Sequence, residues 1–203
     1  VLKRIGVEHP QHNGLEVFPG PEHKKAAEAF WAAQDLQPGE QVVGFNIGSA
    51  VVTKRWAPER FAQVADTLAK EGYRTVFFGG SMDEDMVREA VAFMKSKPMI
   101  ATGKFSLGEL AAAMSRCSLI ITNDSGPMHV AISQKVPIVA MYGPSHPELY
   151  GPYTRLASIV RADPPCDGCR KGMKHHCDDM RCMRDLTVQQ VLKAAHRWLS
   201  RKK

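Results

Sequence analysis

From residue 41 onward the chain alternates two hydrophobic patterns. Short apolar runs at 41–47 (QVVGFNI), 74–80 (RTVFFGG), 98–102 (PMIAT), 118–123 (SLIITN) and 136–143 (VPIVAMYG) show no regular polar–apolar alternation. Such runs predict strands buried on both faces. Between them, segments 58–72, 83–96, 106–117 and 126–135 place apolar residues at three- and four-residue spacing and predict helices. Pro58 falls in the first turn of one, Gly72 at its end, and Ser106 at the N-cap of another. Residues 155–162 read as a sixth strand, and 187–199 as a closing helix capped by Thr187. Strand and helix thus alternate over about 100 residues. That is the pattern of an α/β fold with a doubly wound, Rossmann-like parallel sheet.

The first 40 residues differ. Pro10, Asn13-Gly14 and Pro19-Gly20 mark loop or linker, and the Ala-rich stretch 21–36 reads as a lead-in helix ending before Pro38-Gly39. The division is therefore 1–40, linker and lead-in helix, and 41–203, one Rossmann-like domain. Within the latter, 163–186 is an irregular Cys-rich loop and 187–200 a C-terminal helix. A length of 203 residues suits one large domain, able to bury roughly 70% of its unfolded surface. The longest apolar stretch, 136–142, is about seven residues with Pro137 inside it, far short of the roughly 20 a membrane-spanning helix needs. The chain begins at Val1, and its first residues do not read as a signal peptide; the expectation is a piece of a longer protein. The formal charge of +6 is uneven: residues 154–203 hold 12 Lys and Arg against 5 acids, a net +7, while the rest is close to neutral. A basic C-terminal region suits either an anionic partner or a solvated helix face without one.

In open parallel sheets ligands bind beyond the carboxyl ends of the strands. The loops in question are 48–57, 79–84, 102–106, 123–129 and 143–153. The most informative runs Asn123-Asp124-Ser125-Gly126-Pro127-Met128-His129, from strand into helix. Ser125 suits the cap and Pro127 the first turn, and the amides at such a start suit a phosphate. His129, one turn in, is placed to face the same anion, or else is an ordinary core histidine. In the 48–57 loop, Ser49 and Thr53 offer hydroxyls and Lys54 and Arg55 positive charge for a diphosphate. The plainer reading is a polar loop with Trp56 packed under the next helix. In Gly79-Gly80-Ser81-Met82-Asp83-Glu84-Asp85, an acid near the strand end suits ribose hydroxyls, although first-turn acids also serve the helix dipole. Neither GxxxxGK[ST] nor GxGxxG occurs.

Taken together, the KRW loop, the GGSMDED loop, the NDSGPMH turn and PIVAMYGPSHPELYGPY resemble the C-terminal, donor-binding half of the lipopolysaccharide heptosyltransferases, glycosyltransferase family 9. The lead-in LEVFPGPEHKKAAEAF and the closing DLTVQQVLKA fit the same pattern. The resemblance implies a two-lobed (GT-B type) enzyme with its active site between two Rossmann-like halves. It implies inverting transfer of heptose from ADP-heptose to the lipopolysaccharide inner core, without a catalytic metal. Ser49 and Lys54 would then contact the donor phosphates, Glu84 the ribose and Phe105 the adenine. Asp124 would bind heptose hydroxyls, Ser125 and Gly126 would offer amides to the diphosphate, and His129 would support the turn. Ser49-Ala50 replaces a threonine pair of some members, and the run Asp83-Glu84-Asp85 leaves the ribose assignment open by one residue. No general base is evident, and the resemblance places it in an N-terminal half lacking from this chain. The implied location is cytoplasmic, peripheral on the inner membrane of a Gram-negative bacterium, with an anionic membrane surface as a contact.

Four of the five cysteines cluster at Cys166, Cys169, Cys177 and Cys182, with His175 and His176 among them. The spacing departs from paired C-x2-C zinc motifs, so structural zinc, disulfides and reduced thiols all stand open. Two other functions compete: half of a two-lobed nucleotide-sugar epimerase, and a zinc-bearing nucleic-acid module built on residues 163–203. Against the latter, Trp198 is the one aromatic beyond Tyr153 for base stacking.

Overall fold

The computed structural model describes residues 14–163, 177 and 179–200. Its elements run α1 (Pro21–Ala32), β1 (Val42–Asn46), α2 (Pro58–Lys70), β2 (Arg74–Phe78), α3 (Glu84–Phe93), β3 (Met99–Ile100), α4 (Leu107–Met114), β4 (Leu119–Asn123), α5 (Gly126–Ser133), β5 (Ile138–Met141), α6 (Pro147–Tyr150), β6 (Ala157–Val160), α7 (Arg181–Arg184) and α8 (Val188–Leu199). Short 3-10 turns at Val52–Lys54 and Ser81–Asp83 lie ahead of α2 and α3. All six expected strands are present and form one parallel sheet ordered β3-β2-β1-β4-β5-β6. That is the Rossmann order, which reverses direction between β1 and β4.

Each face of the sheet has its own core, which is why the strands read as unbroken apolar runs. Val43, Phe45, Phe77, Leu119, Ile121, Val139 and Met141 pack with α2, α3 and α8. Val42, Val76, Phe78, Ile120, Ile138 and Ala140 pack on the opposite face with α1, α4 and α5. The lead-in helix is thus part of this core: Ala27 and Phe30 are buried in it. Gly44 lies mid-strand in β1 because its neighbours fill the space a side chain would take. A Cβ there would fall 2.4 Å from Ile120 Cδ1 and 2.8 Å from Phe78 Cε2.

Two helices are shorter than their periodicity suggests. α1 stops at Ala32, with Asp35 in the left-handed region at φ 50°. α3 stops at Phe93 instead of running to 96, because Asp66 of α2 captures the next amides. Its carboxylate accepts from Lys95 N and Ser96 N, both at 2.8 Å, and from Ser96 Oγ at 2.6 Å. Burial pushes the Asp66 carboxyl up, but the Ser96 hydroxyl and the two amides outweigh it and hold the group below its ordinary range. A carboxyl depressed in the folded state contributes stability above its unfolded pKa and loses it as pH falls through the folded value. Asp66→Ala is expected to lower unfolding free energy by about 1–2 kcal/mol at neutral pH. In urea titrations the deficit should shrink toward zero as the pH drops below the ordinary carboxylate range.

Candidate functional site

Reversal of the strand order sends α2 from β1 to one face of the sheet and α5 from β4 to the other. The loops after β1 and β4 therefore part, leaving a crevice where parallel sheets of this kind bind ligands. Lys54 and Asp124 meet there. Lys54 Nζ lies 2.7 Å from Asp124 Oδ2, with the two residues 9% and 5% exposed. The Ser145 hydroxyl, from the loop after β5, donates to the same Oδ2. The Tyr150 ring, in α6, lies 5.8 Å from the Lys54 ammonium. Neither Ser145 nor Tyr150 was a candidate from sequence. Both lie in the segment after β5, and neither residue by itself signals Lys54 or Asp124 as its partner.

Two asparagines at strand ends hold this crevice in shape. Asn123 accepts Trp56 N at 3.2 Å and donates to Ile47 O at 2.8 Å, lacing the loop after β1 to β4. Asn46 donates to Ser125 Oγ at 2.9 Å and Thr122 Oγ1 at 3.2 Å. Trp56 is buried edge-on against Phe61, and its indole donates to Leu186 O at 3.0 Å. The packing role read for Trp56 is therefore its role, and it anchors the turn that carries Lys54.

Ser125 departs from expectation. It occupies the N-cap position of α5, yet its hydroxyl makes no cap bond because it turns inward to Asn46. Helix α5 thus opens on Gly126, exposed and with nothing within 4 Å of where a Cβ would stand. Pro127 has no N–H and Met128 N donates to Ser125 O at 3.1 Å, so the Gly126 amide, at the positive end of the helix dipole, is the first-turn donor left uncapped by Ser125. One turn in, His129 is half-buried, and its Nδ1 is buried with no hydrogen-bond partner among the described residues.

The other candidates follow the carboxyl edge of the sheet away from the crevice. Ser49 is 8% exposed; its hydroxyl accepts Val51 N at 3.3 Å and its carbonyl accepts Arg55 Nε at 2.7 Å. Arg55 is thereby folded back on its own loop. Asp83 is likewise committed, accepting Gly80 N at 2.9 Å and resting on Gly48, where a Cβ would meet Oδ1 at 2.3 Å. Glu84, the first residue of α3, is exposed, and its carboxylate takes no hydrogen bond among the described residues. It lies over Gly103, whose φ of 72° and 2.6 Å clearance from Glu84 Oε1 both call for glycine. Of the three acids in this run, Asp83 thus closes its own loop and Asp85 pairs with Arg88 at 3.0 Å. Phe105 stands beyond, half-buried, its ring edge-on to Phe30 at 5.3 Å.

The cysteine cluster is seen only in part. Cys166, Cys169, His175 and His176 lie outside the described residues. Cys177 is half-buried, and Cys182 is buried in the first core, 3.2 Å from where a Cβ on Gly143 would stand. Cys117 is buried at the end of α4, and burial pushes its thiol well up. Among the described residues no group of three or more metal-binding side chains comes together, and no helix is long and apolar enough to cross a membrane. Trp198, the aromatic needed by a nucleic-acid reading, packs against the first core and donates to Ser158 Oγ at 3.0 Å. Arg181 and Arg184 pair with Asp179, and Arg184 with Asp185 as well, so part of the basic excess is neutralised locally.

A six-stranded parallel sheet in the Rossmann order, with helices on both faces, defines a doubly wound α/β lobe. More narrowly, the chain belongs to glycosyltransferase family 9 (heptosyltransferase), whose family model matches residues 8–177. It is 32% identical to lipopolysaccharide heptosyltransferase 2 of Salmonella typhimurium over 173 residues, which is 81% of this chain and 49% of the relative. Its fold is similar to the glycosyl transferase family 9 structure from Veillonella parvula, with a TM-score of 0.90, 47% identity, and coverage of 100% of this chain and 58% of that one. It is also similar to E. coli ADP-heptose lps heptosyltransferase II, at TM-score 0.77 and 27% identity over 96% of this chain and 56% of that chain. The chain spans about half the length of the curated relatives it matches.

The buried pair generates a stability test. Removing one partner of such a pair strands a charge and costs about 3–5 kcal/mol, whereas replacing both by apolar groups is often neutral. Lys54→Met alone should therefore lower unfolding free energy by about 3 kcal/mol. The double variant Lys54→Met, Asp124→Leu should recover most of the loss in urea denaturation.

Proposed function

We propose that this chain is the C-terminal, donor-binding lobe of an inverting heptosyltransferase that takes heptose from ADP-heptose to the inner core of lipopolysaccharide. The observation that carries the reading is the Lys54–Asp124 pair at the mouth of the uncapped helix α5, at the point where the sheet reverses. An ammonium carries three protons. Lys54 gives one to Asp124 and has others for a donor phosphate. The α5 amides at Gly126, with Ser125 behind them, would take the second phosphate, and His129 Nδ1 would face the ligand that satisfies it. Ser49 would join Lys54 at the donor phosphates, Glu84 would accept the ribose hydroxyls, and Phe105 would flank the adenine. The developing negative charge on the departing ADP would thus be met by groups already in place.

Inversion needs a base on the acceptor hydroxyl. Asp124 is a poor one, since Lys54 and Ser145 already hold it as a carboxylate acceptor. The base would come from the other lobe of the two-lobed enzyme, and the lipopolysaccharide acceptor would enter between the lobes. The net positive charge of the last 50 residues suits peripheral contact with the anionic membrane that carries such an acceptor.

In calorimetry, residues 1–203 should bind ADP and, assayed alone, transfer no sugar; turnover by this chain unaided would refute the division of labour. In the full-length enzyme, Asp124→Ala and Lys54→Ala should each lower kcat/KM for ADP-heptose more than tenfold. A charge-assisted contact is worth about 1.5–3 kcal/mol and each 1.4 kcal/mol is a factor of ten. Wild-type kinetics in both variants would put the donor site elsewhere.

A further inference from the structure

Asp124 receives two donors, and both reach the same atom. Lys54 Nζ and Ser145 Oγ converge on Oδ2, while Oδ1 has no protein partner among the described residues. A carboxylate turns through a broad, roughly two-fold χ2 profile, so nothing intrinsic to aspartate fixes which oxygen faces the crevice. Lys54 cannot fix it alone, because its ammonium rides on a flexible four-carbon stem and can follow the oxygen. Ser145 differs. It is 1% exposed, has one rotatable bond before its hydroxyl, and stands four residues past the end of β5, a strand buried along its whole length, after the buried residues Tyr142, Gly143 and Pro144. The segment after it is tied down again, since the Tyr142 hydroxyl donates to Tyr150 O at 3.0 Å.

We propose that Ser145 is a positioning residue for the donor sugar: with Lys54 it pins Asp124 Oδ2 and so aims Oδ1 as an acceptor for a sugar hydroxyl. An unprotonated carboxylate oxygen accepts hydrogen bonds and repels phosphate, so its aimed oxygen recognises hydroxyl donors and not the diphosphate. Phosphate recognition stays with Lys54 and the start of α5. Ser145 therefore affects the sugar-dependent part of donor affinity and leaves the nucleotide-dependent part alone. The inference rests on the donor-site reading of this crevice.

The test is calorimetry on the full-length protein with two probes, ADP and ADP-heptose, across wild type, Ser145→Ala, Asp124→Ala and the double variant. Wild type is expected to bind ADP-heptose more tightly than ADP. Ser145→Ala should lose about tenfold in ADP-heptose affinity, equivalent to about 1.4 kcal/mol, while ADP affinity stays within about twofold. The retained ADP affinity also reports that the variant is folded. In the Asp124→Ala background, adding Ser145→Ala should change ADP-heptose affinity little, since the serine acts through the aspartate. Equal losses for ADP and ADP-heptose would make Ser145 a structural residue and overturn the proposal. So would an effect of Ser145→Ala that persists undiminished without Asp124. Wild-type protein that binds neither probe would instead overturn the donor-site reading, and the inference with it.

Discussion

Everything at the site follows from the adjacency of β1 and β4. These strands are parallel neighbours at the centre of the sheet, yet their helices leave to opposite faces. Backbone groups between the two exits are bonded by side chains from the strand ends. The asparagines at the strand ends do this, with Asn123 reaching across to Ile47 and Trp56, and Asn46 to Thr122 and Ser125. The buried Lys54–Asp124 pair spans the same gap. Isolated buried charges are costly, and a buried pair holds its own against apolar packing where further hydrogen bonds satisfy it, as the Ser145 hydroxyl does for Asp124.

The same economy of groups governs the start of α5. A serine at an N-cap ordinarily accepts from a first-turn amide. Here that hydroxyl serves Asn46; Pro127 has no N–H and Met128 N already donates to Ser125 O, which leaves the Gly126 amide without a cap from the Ser125 side chain. One turn on, His129 Nδ1 is buried and has no hydrogen-bond partner among the described residues. By contrast, the acids and cations that neighbour the site in sequence, Asp83 and Arg55, are consumed by their own loops.

The two-core arrangement packs the strands beneath this site on both faces. β1, β4 and β5 are buried along their whole length, so the loops they launch start from fixed points. Trp56, buried against Phe61 and bonded to Leu186 O, extends that rigidity to the turn holding Lys54. The lead-in helix contributes as well, since Phe30 packs under Phe105 at the far end of the groove.

The pattern of apolar runs and helical spacings determined the α/β class, the six strands and their order along the chain, because a strand buried on both faces has no other hydrophobic signature. The NDSGPMH and KRW segments were legible for a similarly local reason: capping residues, small residues and cations just past a strand need no knowledge of the rest of the fold. Ser145 was not legible, because a serine in a loop carries no sign of the partner 21 positions earlier that it meets. Nor was the different placing of Asp83 and Glu84, which lie against Gly48 and Gly103 of other loops. Helix ends set by Asp66 and the inward turn of the Ser125 hydroxyl were decided the same way. Local sequence fixes what a residue is able to bond; only the packed sheet decides which partner comes within reach first, and so which groups remain for the ligand.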